Sequence, residues 1–491
     1  MAGTEAGMRV VGYCPEDTVM TEYRNFIAGE FRTSGNLVPV LNPATEAQFA
    51  KVPSATAEDA IEAVEAAAKA QKEWRALPAI ARGDALRKLA AVIEQRAEKI
   101  GAALALESGK SLADATGEAI YGAELMRYHA EWARRIEGEI IPSDNANETL
   151  LLKREAIGVV ACLIPFNFPI YTLVRKIAPA LIAGNAVVVR PSNSTPTSAF
   201  EIAEAVAEAG LPAGLVNILT MSHEVAATLC THPKVGMITL TGSLQAGRVV
   251  LDYCKANIAK PSLELGGKTP VIVEPDADLD VVATQLVAAK TNHCGQLCTA
   301  PERVYVHRSI QDALLARLKA GFAARAFGDR SVDASRVGPL ATKSAQTNVH
   351  KAVLKAVEQG ARIEVGGVLP EFAGFFYPPT LLSNCRQDME IIAEEIFGPV
   401  LPVVAYDTTE EALALANDHQ FGLSSVLFTN NHRTIMRFSD TIEAGEFYVN
   451  RFPADPYQGY HAGWKRSGLG GDDGKHGMLE FTQTRLVILK H

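Results

Sequence analysis

The 491-residue sequence has no block of lysine and arginine, and its formal charge is −9. A surface that tracks nucleic-acid phosphates needs a clustered positive face, so nucleic acid is not an expected partner. Long uninterrupted apolar runs are missing too. The most apolar stretch, "GVVACLIPFNFPIYTLV", is broken by two prolines and an asparagine, whereas a membrane span needs about 20 apolar residues in succession. No C-x-x-C pair occurs, and no second Cys or His pair at zinc spacing lies near Cys294 and Cys298. With His293 those sulfurs would be an incomplete metal site, so no metal is expected. The cysteines are odd in number and scattered, which suits reduced thiols in a cytoplasmic protein better than a disulfide framework. The dinucleotide fingerprint G-x-G-x-x-G is also absent. Residues 1–20 lack a signal-peptide apolar core and read as a loose leader.

What is present is strand–helix alternation. A short hairpin, "FIAGEFRT", precedes a helix opened by a Thr56–Asp59 capping box, and two more helices are expected over 79–108 and 112–136. "TLLLKREAIGVVACLIP" reads as strands, and near-continuous apolar strands then alternate with helices. A second such run starts near "SLELGGKTPVIVE". The pattern predicts an α/β protein with two parallel sheets, each covered by helices. The length requires more than one domain.

Several strand ends carry polar residues where ligands bind in open α/β sheets. "VVVRPSNS" offers Arg190, Ser192 and Asn193; "TLTGSLQAG" offers Gly242 and Ser243 at a helix start suited to phosphate. Cys298 lies in a polar, Gly-containing turn between a helix and a strand, where substrate could reach a thiol. Taken singly, Glu264 in "LELGGK" could cap a backbone N–H, Asn167 in "PFNFP" could close a turn, and Phe397 in "EEIFGPV" could be core.

Together, "PFNFP", "TGS", "LELGGK", "GQLC" and "EEIFGPV", in that order, resemble the aldehyde dehydrogenase superfamily, over nearly the whole chain from Asn42. "EWARRIEGEIIPSD", "HAGWKRSG" and "GGDDGKHG" are similar to its lactaldehyde/glycolaldehyde dehydrogenase branch. The resemblance implies two doubly wound α/β domains and a small β oligomerisation arm. The cofactor-binding domain would take 21–138 and 160–262, the arm 139–159 and 475–491, and the catalytic domain 263–474. It further implies oxidation of an aldehyde to a carboxylate, with Cys298 as nucleophile, Asn167 as oxyanion donor and Glu264 as the base that activates water. Glu395, Phe397, Pro165, Phe166, Arg190, Ser192, Asn193, Gly242 and Ser243 would hold NAD or NADP. Arg175, Asp455 and His461 would meet a small hydroxyaldehyde, and Lys176 with Asp472 would relay protons.

Departures from the family pattern bear on these expectations. Phe166 stands for the usual Trp, and Asp455 for a more typical Glu. Arg190 and Asn193 replace a Lys and a ribose-binding Glu, and "TMSHEVAATL" lacks the usual glycines beside the adenine. Loss of the carboxylate removes repulsion toward a 2′-phosphate, and Arg190 could pair with one. A homodimer or homotetramer is expected, because the apolar "TRLVILKH" strand would otherwise be an open edge. Two rival readings are a CoA-acylating relative, which would not need Glu264 as a base, and a silent protein that kept the fold.

Overall fold

The computed structural model describes residues 20–453 and 455–491. The leader expected at 1–20 therefore lies, but for Met20, outside the described residues. An eight-stranded sheet runs in the order Gly468–Leu469, Lys260–Glu264, Val235–Thr241, Val159–Leu163, Ala186–Arg190, Val216–Ile218, Asn25–Ile27, Glu30–Arg32. Its five central strands are parallel and its outer pairings antiparallel. A seven-stranded sheet follows the order Arg362–Val365, Thr380–Cys385, Val400–Tyr406, Pro301–His307, Thr269–Val273, Ser424–Phe428, Glu446–Val449, and all but its first pairing are parallel. A third sheet, Thr482–Lys490, Glu148–Ala156 and Glu139–Ile141, is wholly antiparallel.

The parallel strands are apolar on both faces because helices cover both faces. Val159–Leu163, Thr269–Val273 and Ser424–Phe428 are buried at every residue. The helix Pro169–Ile182 is also buried throughout. It carries Arg175 and Lys176, and charges so placed need partners.

Two readings from sequence are corrected. The helix expected over 79–108 is two helices, Ala79–Gln95 and Ala97–Ser108. The break falls at Arg96 (φ −94°, ψ 5°), whose guanidinium is held by Glu201 at 3.2 Å and Glu208 at 3.0 Å. Similarly, the 112–136 helix is α-helical over Leu112–Ala130 and tightens to a 3₁₀ turn over Glu131–Arg134. The second correction concerns the start of the second sheet. Ser262–Glu264 belong to the first sheet, where Glu264 pairs with Thr241 and Gly468, and the second sheet begins at Thr269. Glu264 is thus presented by the first sheet, while Cys298 precedes Pro301–His307 of the second.

Candidate active site

Four parallel strands of the first sheet end side by side, at Leu163, Arg190, Thr241 and Glu264. Each is followed by one of the motifs singled out from sequence. Their convergence follows from topology, since the carboxyl ends of parallel strands share one edge.

Asn167 is set between the strand ending at Leu163 and the buried helix Pro169–Ile182. Its amide Nδ2 donates to the Gln296 carbonyl at 3.0 Å, and its own carbonyl accepts from Lys110 Nζ at 2.8 Å. Lys110 is ion-paired with Glu118. The Glu118 carboxylate also accepts from the N–H groups of Ile170 (3.0 Å) and Tyr171 (3.1 Å), satisfying the free helix N-terminus.

Cys298 follows a turn with left-handed backbone at His293 (φ 42°), Cys294 (φ 57°) and Gly295 (φ 71°). A Cβ at Gly295 would stand 2.3 Å from the Gly398 carbonyl oxygen, so only glycine fits there. Gln296 ties the turn down, donating to the His293 carbonyl at 3.0 Å and accepting from the Ala341 N–H at 2.9 Å. At Gly267 a Cβ would meet the Cys298 carbonyl oxygen at 2.4 Å, which explains the second glycine of "LELGGK". Cys294 points into the core of the second sheet and burial pushes its thiol well up, whereas Cys298 is half-buried and opens to a cavity.

That cavity, of about 960 Å³, brings together Cys298, Glu264, Asn167, Arg175 and Asp455. Burial and then the nearby Asp472 push the Glu264 carboxyl up to about 7, against the opposing pull of His461, Lys176 and Arg175. Its Oε2 accepts from the Thr241 hydroxyl at 3.3 Å, and its Oε1 has no hydrogen-bond partner. A carboxylate so placed ionises near neutrality and can take a proton, as a general base requires.

Arg175 contacts Asp473, Asp455 (3.4 Å) and Glu264 (3.7 Å). Lys176 and Asp472 form a wholly buried ion pair just behind Glu264. His461 is 2% exposed and lies behind the cavity lining, with Nδ1 at 2.8 Å from Glu446. Glu446, Asp473 and the Lys110–Glu118 pair were not singled out from sequence. No local motif marks Glu446, Lys110 or Glu118, and Asp473 stands in "GGDDGKHG" with no role assigned to it there; all four meet the site through long-range folding.

Along the neighbouring edge, Gly267 N–H donates to Glu395 Oε1 at 3.0 Å, and burial pushes the Glu395 carboxyl up to about 8. Phe397 (φ 51°) meets Phe166 edge-to-face at 5.8 Å, beside the half-buried Pro165. The Ile396 and Phe397 N–H groups donate to Glu302 at 2.8 and 3.1 Å, and Lys268 and Lys290 each meet it at 2.8 Å. Despite burial, the two ammoniums hold the Glu302 carboxyl down at about 2. This buried charge triad fixes the Glu395–Phe397 turn. Ser243 caps the helix Leu244–Asn257 by accepting from the Ala246 N–H. Arg190 makes one long bond, 3.4 Å to the Met221 carbonyl, and its Nε is buried without a partner. Ser192 is half-buried and Asn193 exposed. An orphaned guanidinium N–H at Arg190 and a helix start at Ser243 lie at the carboxyl ends of this sheet, where a dinucleotide phosphate fits.

The model of the aldehyde dehydrogenase family matches residues 31–487, and the chain belongs to that family. It is an NAD(P)-dependent oxidoreductase that converts aldehydes to acids. It is 44% identical to the lactaldehyde dehydrogenase of Escherichia coli over 96% of this chain and 100% of that protein. A crystal structure of that enzyme superposes with a TM-score of 0.95, again covering 96% and 100% of the two chains. A structure of 3,6-anhydro-L-galactose dehydrogenase in complex with NAP is 37% identical, has a TM-score of 0.93, and covers 96% of this chain and 100% of that one. Among the described residues no helix is long and apolar enough to cross a membrane.

Proposed function

We propose that the enzyme oxidises small hydroxyaldehydes through covalent catalysis at Cys298. The observation that carries this reading is the single cavity shared by Cys298, Glu264, Asn167 and the Arg175–Asp455 cluster. The Cys298 thiolate adds to the aldehyde carbon, and the oxyanion of the thiohemiacetal is received by the Asn167 amide and the Cys298 N–H. Bound NAD(P) supplies the hydride acceptor by which the adduct becomes a thioester. Glu264 then takes a proton from water, whose oxygen attacks the thioester carbon. The C–S bond breaks, leaving a carboxylate and the free thiol. Lys176 and Asp472, paired behind Glu264, pass the proton onward.

Arg175 and Asp455 offer donors and acceptors for a substrate hydroxyl. The hydroxyaldehydes in the names of the two relatives described above agree with this. Glu395 and Phe397 hold the nicotinamide end of the cofactor, Gly242 and Ser243 its pyrophosphate, and Arg190, Ser192 and Asn193 the adenosine ribose. With no carboxylate at 193 and a free guanidinium N–H at 190, NADP is accepted as well as NAD. The arm sheet exposes Ile140 (78%), Leu486 (53%) and Ile488 (57%), a surface that pairing with a second copy would cover, and we assign a homodimer or homotetramer to it. Six described cysteines, all free, suit the cytoplasm.

The test is a panel of lactaldehyde, glycolaldehyde, glyceraldehyde and propanal, assayed with each cofactor, with and without CoA. CoA-independent reduction of the cofactor is expected, with kcat/KM for lactaldehyde at least about tenfold above propanal, the value of one good polar contact. Equal use of lactaldehyde and propanal overturns the hydroxyaldehyde assignment; dependence on CoA overturns the hydrolytic step.

A further inference from the structure

We propose that the buried ion pair of Lys110 and Glu118 is the positioning unit for the oxyanion donor Asn167, holding its amide in register with the Cys298 turn. This rests on Asn167 receiving the oxyanion and adds the groups that keep it in place.

The pair touches four of the five residues from Asn167 to Tyr171. Lys110 Nζ donates to the Asn167 carbonyl at 2.8 Å and stands 3.9 Å from the centre of the Phe168 ring. Glu118 accepts from the Ile170 and Tyr171 N–H groups through one oxygen, Oε1, and meets Lys110 through the other, Oε2. The remaining residue, Pro169, has no N–H to offer. The helix Pro169–Ile182 has no side-chain cap of its own. Glu118, from the helix Leu112–Ala130, supplies what a local Ser or Asp would. Lys110 itself sits between two helix ends. Gly109 closes the helix Ala97–Ser108 in left-handed backbone (φ 70°), where a Cβ would stand 2.3 Å from Pro339 Cγ. Ser111 opens the next helix by accepting from the Asp114 N–H at 3.1 Å. Between these ends the Lys110 side chain turns inward, 3% exposed, against Glu118 at 4%. Charges buried so deeply need each other.

On its other side the same segment is tied to the turn that carries the thiol. Asn167 Nδ2 gives one hydrogen to the Gln296 carbonyl at 3.0 Å, two residues before Cys298. An amide nitrogen carries two hydrogens, and the second is the one an oxyanion would take. The Phe168 ring also meets the His293 ring of that turn edge-to-face at 5.7 Å. Asn167 is thus gripped by its backbone from Lys110 and by its side chain from Gln296. The direction of the second hydrogen is set before substrate arrives, as stabilisation of a developing charge requires. Without the ammonium, the Asn167 carbonyl loses this donor and Phe168 loses the charge on its face. The segment lies between the strand end at Leu163 and the helix start at Pro169, outside any regular element that could hold it instead.

The test is a double-mutant cycle with Asn167→Ala, read as the stopped-flow rate of first-turnover cofactor reduction at saturating lactaldehyde, together with KM and the melting temperature. Lys110→Met keeps the length of the side chain and removes its charge and donors. It is expected to slow the first turnover about 10- to 100-fold with KM nearly unchanged, the cost of a misplaced catalytic group. In an enzyme already carrying Asn167→Ala it should slow the reaction less than about twofold further, because coupled residues are not additive. Glu118→Gln keeps an acceptor for the Ile170 and Tyr171 N–H groups. It should show the same non-additivity with a smaller loss, and it carries the test if Lys110→Met does not fold. A pair that only stabilises the fold would lower the melting temperature and leave the rate unmoved, or its loss would multiply in full with that of Asn167→Ala; either result in a folded variant overturns the positioning role. A wild-type first turnover in Asn167→Ala alone overturns the oxyanion assignment, and the positioning role with it.

Discussion

The cavity at Cys298 and the edge we assign to the cofactor lie on the same sheet margin but are built differently. Around the cavity, buried charges lock one another: Lys110 with Glu118, Arg175 with Asp473 and Asp455, Lys176 with Asp472. Away from the Glu395–Phe397 turn, which the buried Glu302–Lys268–Lys290 triad fixes, the edge assigned to the cofactor is looser: Asn193 and Ser243 are exposed, and Arg190 has one long bond. The difference separates two tasks. Groups that stabilise charge during the reaction must be fixed beforehand, because reorganising them would be added to the barrier. Groups that grip a large cofactor are completed by the cofactor itself.

The contrast can be broken by mutation, and the effects should be larger on the cavity side. Cys298→Ala should lower kcat/KM for any accepted aldehyde by ~10⁴-fold or more, the scale of losing a nucleophile. Asn167→Ala removes one preorganised oxyanion donor and should cost about 10²–10³ in kcat with little change in KM. Glu264→Gln should reduce steady-state turnover by about 10²-fold while sparing the first, burst turnover of cofactor reduction. The base works unprotonated and burial places its carboxyl at about 7, so the wild-type hydrolysis rate should climb as pH rises through 7 and level off above it. In the Gln variant that limb should be missing from a pH–rate profile. On the cofactor side, Asn193→Glu should place a carboxylate against a 2′-phosphate and lower kcat/KM for NADP about tenfold, leaving NAD nearly unaffected. A comparable loss with both cofactors would show that the edge is as interlocked as the cavity.

Features written in a few consecutive residues were legible in the sequence. The Thr56–Asp59 capping box forms as expected, with both of its reciprocal hydrogen bonds. Ser243 caps the helix after "TGS". Asn167, Glu264 and Cys298 were each marked by a short motif, and the fold lines all three on one cavity. Features that depend on distant partners were not legible. Arg96 breaks a helix where Glu201 and Glu208, over a hundred residues away, hold its side chain. Glu446 reads as one polar residue in a strand until His461 is packed on it. Likewise the apolar run around Glu264 cannot reveal which of two sheets it joins, because parallel strands of both have the same composition.

The central claim is a covalent acyl group on one sulfur, removed by one carboxylate. The direct measurement is acid quench of Glu264→Gln after mixing with lactaldehyde and NADP, followed by mass spectrometry of its peptides. The account predicts that the peptide containing Cys298 gains the mass of the lactoyl group and that wild type, under the same quench, shows little of it. A Cys298 side chain left unmodified while cofactor is reduced, or an acyl group on Cys294 instead, would contradict it.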